Sequence, residues 1–195
     1  MAVKATNVLS GGPDQLVTGA ILSAALTAAT PADTDIYGTA LPTGFTDSGY
    51  ISDEGLTLSL SKSFATIKDW SGAIVKRILE EFDGTLKWSH LEVNTAALKA
   101  TFGDANVTET VATASTGTRV KVSIGADTPV SKKWLFRMKD GNAKVRIYVP
   151  NGTVTEVDDV AFVSNDAIKL GVTLGTSPDS SGKSIYIYTD DGVFA

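Results

Sequence analysis

Leu56-Thr57-Leu58-Ser59-Leu60-Ser61 alternates apolar and hydroxyl residues with a period of two. Successive strand residues point to opposite faces, so this stretch reads as a strand with one buried and one wetted side. The run Ala73–Glu92 carries the same character further. It is too long for one ordinary strand, and Asp83-Gly84 in its middle is the residue pair of a tight hairpin turn or a bulge. Beyond that pair, Leu86 and Trp88 alternate with Thr85, Lys87 and Ser89. Before it the alternation is imperfect, with Ile78, Glu80 and Phe82 opposing Leu79 and Glu81. Between the two stretches, Ser63–Gly72 breaks the pattern around Lys68-Asp69-Trp70-Ser71-Gly72. An aromatic residue in such a polar, Gly-ended loop either pins the loop to its own domain or contacts a partner.

Outward from this centre the chain continues to read as strands and turns. Leu16–Leu26 alternates weakly. Residues 30–54 form a long connection with Pro31, Pro42, Gly38, Gly44, Gly49 and the acids Asp33, Asp35, Asp47 and Asp53, a length that usually serves binding or docking. The convincing helix is Asn94–Phe102, capped by Asn94 and ended by Gly103. Strands are expected at Arg119–Ile124, Trp134–Met138 and Lys144–Val149, the last two joined by Asp140-Gly141-Asn142. Pro150-Asn151-Gly152 reads as a further turn, followed by strands at Val157–Val163, Ile168–Leu174 and Ile185–Thr189. The fold class is mainly β: an antiparallel sandwich or barrel with one flanking helix and long loops. Residues 1–15 are expected as a mobile N-terminal arm, and 16–195 as a single β domain.

Composition narrows the function. The chain has 195 residues, no Cys and one His, which excludes a disulfide framework, Cys-ligated metals and thiol nucleophiles, and leaves no multi-His metal site. No cofactor and no metal are expected. His90 lies within a strand pattern and reads as structural, with no nucleophile to serve. The pairs Glu80-Glu81, Asp158-Asp159 and Asp190-Asp191 point to opposite strand faces and do not share an ion. Gly182-Lys183-Ser184 lacks the upstream Gly of a phosphate loop and precedes a strand. In Lys132-Lys133-Trp134-Leu135-Phe136-Arg137 the two aromatics fall on a core-facing side, with a polar back of Lys133, Leu135 and Arg137. The most apolar early stretch, Ala20–Ala29, is half the length of a membrane span, so no membrane is expected as a partner. The net charge of −5 disfavours general affinity for nucleic acid. Its distribution is uneven: residues 1–54 and 147–195 are acidic, and 55–146 are basic. Copies with such faces are complementary to themselves.

Three phrases, taken in order, carry a resemblance. Gly49-Tyr50-Ile51-Ser52-Asp53-Glu54-Gly55-Leu56-Thr57 leads to the Lys68–Gly72 loop; Glu80-Glu81-Phe82-Asp83-Gly84-Thr85-Leu86-Lys87 runs into Leu91-Glu92-Val93-Asn94 and the short helix; Val160-Ala161-Phe162 leads through Pro178–Gly182 to Ile185-Tyr186. This order, over roughly residues 15–190, resembles the major tail tube proteins of long-tailed bacteriophages, particularly those of actinobacteria. Ser71 stands where a second Gly is usual in that loop. The resemblance implies no enzyme but a virion tail protein, assembled in the bacterial host cytoplasm. It implies hexameric rings of the protein itself, stacked into a hollow tube. Its partners would be a tape measure protein, a tail terminator, distal tail and baseplate proteins, and double-stranded DNA in transit without tight binding. No C-terminal immunoglobulin-like decoration is expected, since the last strand lies just before Ala195. Six copies of a four-stranded sheet, at ~4.8 Å spacing and ~40° tilt, close a barrel roughly 48 Å across at the backbone.

The residues matching such contacts are Lys68, Asp69, Trp70, Ser71 and Gly72, together with Asp47, Tyr50, Asp53 and Glu54 in the long connection. Glu80 and Asp83 are the expected lumen-facing acids, placed to repel DNA. The rival reading is a carbohydrate-binding or adhesin-like β-sandwich, which would persist as a monomer or small oligomer; an enzyme is a more distant one.

Overall fold

Trp88, two residues before His90, explains why the main sheet curls. Both sit on β4 (Ile74–His90), and Trp88 meets Trp134 and Phe136 of β7 (Lys132–Asp140) with ring centroids 5.3 Å apart in both cases. These strands are not neighbours. In the computed structural model, which describes residues 8–14, 19–128 and 130–193, the main sheet runs β2-β1-β7-β8-β9-β4-β3. The remaining strands of that order are β1 (Ile21–Ala25), β2 (Thr46–Asp47), β3 (Thr57–Lys68), β8 (Ala143–Val157) and β9 (Leu170–Thr176). The sheet therefore folds over on itself, and β4 and β9 face β1, β7 and β8 across a core of Ile21, Leu86, Trp88, Trp134, Phe136, Val149, Val172 and Leu174. Pairing is antiparallel throughout, as an all-β chain with short connections demands. The aromatic cluster supplies much of the buried apolar area.

Helix α2 (Thr95–Phe102) closes one end of this core. The Asn94 side chain accepts from the Ala97 N–H at 2.7 Å, and Gly103 ends the helix at φ 90°. Ala100 enters the core, while Leu98 packs with Val107 and Leu170 beneath the small sheet of β5 (Val107–Thr110) and β6 (Arg119–Val122). Lys132 donates to the Lys99 carbonyl at 3.1 Å and to Asp104 at 2.8 Å, placing a cation at the helix C-terminus.

The second face of β7 and β8, expected as a polar back, is itself covered. Lys133, Leu135 and Arg137 do lie opposite the aromatics, but Leu135 and Arg137 are buried, as is Arg146 on β8. The connection after β1 covers them. It includes a short helix α1 (Asp33–Tyr37), whose Ile36 packs with Leu22, Phe45, Leu135 and Tyr148. The strand cations take its carbonyls: Lys133 those of Ala28 (2.7 Å), Arg146 Nε that of Ile36 (3.1 Å), Lys144 that of Tyr37 (2.8 Å), and Arg137 those of Thr39 and Ala40. Asp14 balances the charge, accepting from Arg146 Nη2 at 2.6 Å and pairing with Lys139 at 3.2 Å. Of the expected arm, residues 1–7 and 15 lie outside the described residues. Residues 10–14 run beside the end of β7, with Gly12 O accepting from Lys139 N and Asp14 N donating to Arg137 O.

Other expectations change for identifiable reasons. Asp83-Gly84 is neither turn nor bulge: β4 passes through it as one 17-residue strand. Gly84 is needed for close approach, because a Cβ there would meet Thr176 Oγ1 at 2.8 Å, and that hydroxyl donates to Gly84 O. Pro150-Asn151-Gly152 is not a turn. It lies inside β8 where an extra residue enters the pairing with β7, and where the other edge passes from β10 (Tyr186–Asp190) to β9. A residue without N–H is tolerated at such a site. Residues 158–163 form no strand, since β8 already carries that edge to Val157. Residues 16–18 of the expected first strand lie outside the described residues.

Two acid-stability predictions follow from the buried polar groups. Burial alone would raise the Asp14 carboxyl, but the Lys139 hydrogen bond and the Arg146 charge outweigh it and hold the group below its ordinary 3.8. Its stabilisation is complete above that value and is lost as pH falls through the lower folded-state pKa. Asp14→Ala leaves Arg146 buried without its counter-charge, and denaturant unfolding at pH 7 should show a loss of about 3–5 kcal/mol.

His90 is fully buried and accepts from the Trp88 indole N–H at 2.9 Å. Burial, opposed by the Glu92 charge, lowers its pKa from 6.5 to about 4. The unfolded chain takes up this proton first, so stability should drop by about 3 kcal/mol as pH falls from 6.5 to 4. His90→Gln, measured the same way, should flatten that slope.

Candidate assembly surface

β3 and β4 form a hairpin longer than the body beneath it. β9 pairs with β4 only over Thr85–His90, so the strand pairing of Ile74–Gly84 is with β3 alone. β3 itself is the last strand of the sheet. The outer hairpin therefore carries two open edges and no layer on either face among the described residues. From Ser59 to Phe82, every residue but Ala65 is exposed. At about 3.3 Å per residue the 12-residue β3 spans roughly 40 Å.

Two register shifts sort its faces. Ser63 pairs with Glu81 but Phe64 with Leu79, so Glu80 is an extra residue; likewise Ile67 pairs with Lys76 and Lys68 with Ile74, leaving Val75 extra. This repairs the imperfect alternation in the sequence. Directly opposed residues share a face, so Leu58, Leu60, Lys62 and Phe64 stand with Leu86, Gly84, Phe82 and Leu79. That face continues the core side of the sheet, yet Leu60, Phe64, Leu79 and Phe82 are all exposed. The opposite face carries Thr57, Ser59, Ser61 and Ser63 with Lys87, Thr85, Asp83 and Glu81. It runs on over the body through Ser89, Thr173, Gly175 and Thr153. As far as the first bulge the hairpin is a ribbon with one greasy side and one hydroxyl side; beyond it Ala65 with Ile78 and Ile67 with Lys76 continue the second side.

The tip is built by one carboxylate. Asp69 Oδ1 accepts from the Ser71 N–H (2.9 Å), the Ser71 hydroxyl (2.7 Å) and the Ala73 N–H (2.9 Å), and these bonds hold its pKa below the ordinary carboxylate value. Gly72 supplies the left-handed backbone at φ 86°. Trp70 is thereby thrust outward at 104% relative exposure. It does not pin the loop to its own domain. Lys68, Asp69, Trp70, Ser71 and Gly72 are thus all at the tip.

The other expected contact residues lie at the base. Asp47 in β2 accepts from Gly49 N at 3.2 Å, and Tyr50 N donates to Glu92 at 2.8 Å. Gly49 has φ 83°, and a Cβ there would strike the Glu92 carboxylate. Tyr50, Asp53 and Glu54 are exposed just ahead of β3. Of the two expected lumen acids, Asp83 stands on the hydroxyl face, whereas Glu80 is the bulge residue and Glu81 takes the facing position. The sequence reading missed the greasy side, because a one-residue bulge hides it from a strict period of two.

Between the base segment and residues 11–13 opens a cavity of about 510 Å³, walled by Pro13, Ile21, Ile51, Leu56, Phe136 and Met138. Among the described residues no cluster of His, Asp or Glu could hold a metal ion, and no helix is long and apolar enough to cross a membrane.

No curated protein matches the chain. Among solved structures, a similar chain comes from a cryo-EM structure of the anti-feeding prophage cap, a tube-terminating cap: 13% identical, covering 97% of this chain and 100% of that one, with a TM-score of 0.48. A family model described as phage tail tube protein matches residues 1–192. The chain therefore belongs to the phage tail tube protein family, a structural rather than an enzymatic family of the virion tail.

Proposed function

We propose that the chain assembles into hexameric rings which stack into the hollow tail tube, and that phage DNA passes through this tube into the host. The observation that carries this reading is the amphipathic hairpin. A monomer that leaves Leu60, Phe64, Leu79 and Phe82 in water, on a ribbon with two open edges, is a subunit awaiting its neighbours. Covering these residues with the adjacent subunit contributes on the order of 1–2 kcal/mol each. The tip Lys68–Gly72 and the base residues Asp47, Tyr50, Asp53 and Glu54 make the contacts between subunits and between rings.

The hydroxyl face of β8-β9-β4-β3 then lines the lumen. Four strands from each of six subunits close the inner barrel, and its wall carries Ser, Thr and Gly with the acids Asp83 and Glu81 and the base Lys87. Small hydrated groups and a mild excess of carboxylate let a duplex slide without holding it. A tape measure protein fills the lumen before DNA does, and terminator and baseplate proteins close the two ends. The tube is built in the host cytoplasm and carried in the virion.

Negative-stain microscopy of concentrated protein tests the reading. Tubes of uniform width are expected; a monodisperse monomer at every concentration overturns it. The pair Phe64→Ser and Phe82→Ser should abolish tubes, while unfolding of the isolated subunit shifts by no more than about 1 kcal/mol, because both rings are already wet. Asp83→Lys with Glu81→Lys should still form tubes, but these should retain duplex DNA in a salt-dependent manner that the parent does not show.

A further inference from the structure

Trp70 and the cavity at the hairpin base lie at opposite ends of one ribbon. We infer that the cavity walled by Pro13, Ile51, Leu56, Phe136 and Met138 is the receptor for Trp70 of a second copy of this chain in the adjoining ring. The inference rests on the tube reading and names the surface that makes rings stack.

Four observations converge on this occupant. The cavity is apolar, measures about 510 Å³ and opens at the surface, which suits an indole. Trp70 is the one Trp left in water; Trp88 and Trp134 are 3% and 1% exposed. Ser52 lines the cavity, is 3% exposed, and its hydroxyl has no hydrogen-bond partner. A buried indole needs an acceptor for its N–H, and a buried hydroxyl needs a partner; each supplies what the other lacks. Charge agrees as well. Lys68, Lys76 and Arg77 surround the tip against the single Asp69, while Asp53 lines the cavity and Glu54 is exposed next to it in the chain. A knob at one end of a subunit and a hole at the other make a heterologous contact, which repeats without closing and so builds a stack. The contact links each ring to the next over a rise of no more than about 40 Å, the length of the ribbon.

The natural chain has no Cys, so introduced thiols report cleanly. Ser71→Cys combined with Gly11→Cys keeps Trp70 in place and puts one thiol beside the knob and one at the cavity lip. A short bis-maleimide should convert tubes of this variant into a covalent ladder extending well beyond dimers on a denaturing gel. Ser71→Cys combined with Thr113→Cys, in the exposed β5–β6 loop, should give none. In the parent, Trp fluorescence should shift to the blue on assembly, and Trp70→Phe should diminish that shift. Ser52→Ala should raise the concentration needed for assembly about three- to tenfold in the parent, and far less in Trp70→Phe, since coupled residues are not additive. Tubes that form without a ladder from the Gly11 pair, or with one from the Thr113 pair, overturn the cavity assignment while leaving the tube reading intact. Absence of tubes from the unmodified protein overturns both.

Discussion

The buried arginines of β7 and β8 set the terms for everything around them. Arg137 and Arg146 are 2% and 0% exposed on a face that also carries Lys133, Lys139 and Lys144. So many cations on one side of a sheet would repel each other and the fold. They are tolerable because the connection after β1 lays its carbonyls across them, and because Asp14 brings a full negative charge to Arg146 and Lys139. Helix α1 is only five residues long, too short to stand alone, and its last carbonyls are among those the cations receive. The connection is thereby fixed over a stretch that has no strand pairing until β2 meets β1. Its downstream end delivers Asp47–Leu56 to the base of the hairpin, where the cavity opens. Positioning of the assembly surface thus traces back to charges that water never reaches.

The hairpin obeys a different logic. Up to Leu86 the sheet is stabilised by the Trp88–Trp134–Phe136 cluster; beyond it the same alternating pattern continues into solvent with nothing to cover it. An isolated two-stranded ribbon is marginal in water. Here it is anchored at one end by the core and at the other by the three hydrogen bonds to Asp69. That is enough to hold its shape, and it leaves the apolar face as unspent binding area for a neighbour.

How much of this could be read from the sequence depended on whether the signal was local. The Asn94 cap, the Gly103 stop and the period-two run from Leu56 are decided by neighbouring residues, and they appear where expected. Asp83-Gly84 and Pro150-Asn151-Gly152 look like turns for equally local reasons, but their glycines answer to distant contacts. Gly84 makes room for Thr176 and Ile185, and Gly152 for Trp134 and Leu174. The polar back of β7 was misread because exposure of a Lys or Arg is set by what crosses over it, and a carbonyl-bearing loop leaves no periodic trace. Ser63–Gly72 reads as a break around Trp70, yet β3 runs on to Lys68 and only the residues from Asp69 to Gly72 turn, because bulges at Glu80 and Val75 carry the pairing on where the alternation fails.

Those bulges also answer the hazard that the hairpin creates. A long, flat, apolar edge invites pairing with any strand it meets. Two extra residues on β4 twist the ribbon and interrupt its ladder, so a stranger's strand cannot follow it for more than a few residues. Lys62 and Arg77 sit among the apolar side chains of the greasy face, and Lys68 and Lys76 flank the tip. An ordinary hydrophobic surface would have to bury these charges unpaired, which is costly. A neighbour with carboxylates at matching heights would not, and the acidic stretch around Asp47, Asp53 and Glu54 belongs to every copy of the chain. The cations thus weaken nonspecific association more than they weaken the self-contact. On the proposed reading, this difference favours the self-contact over nonspecific association.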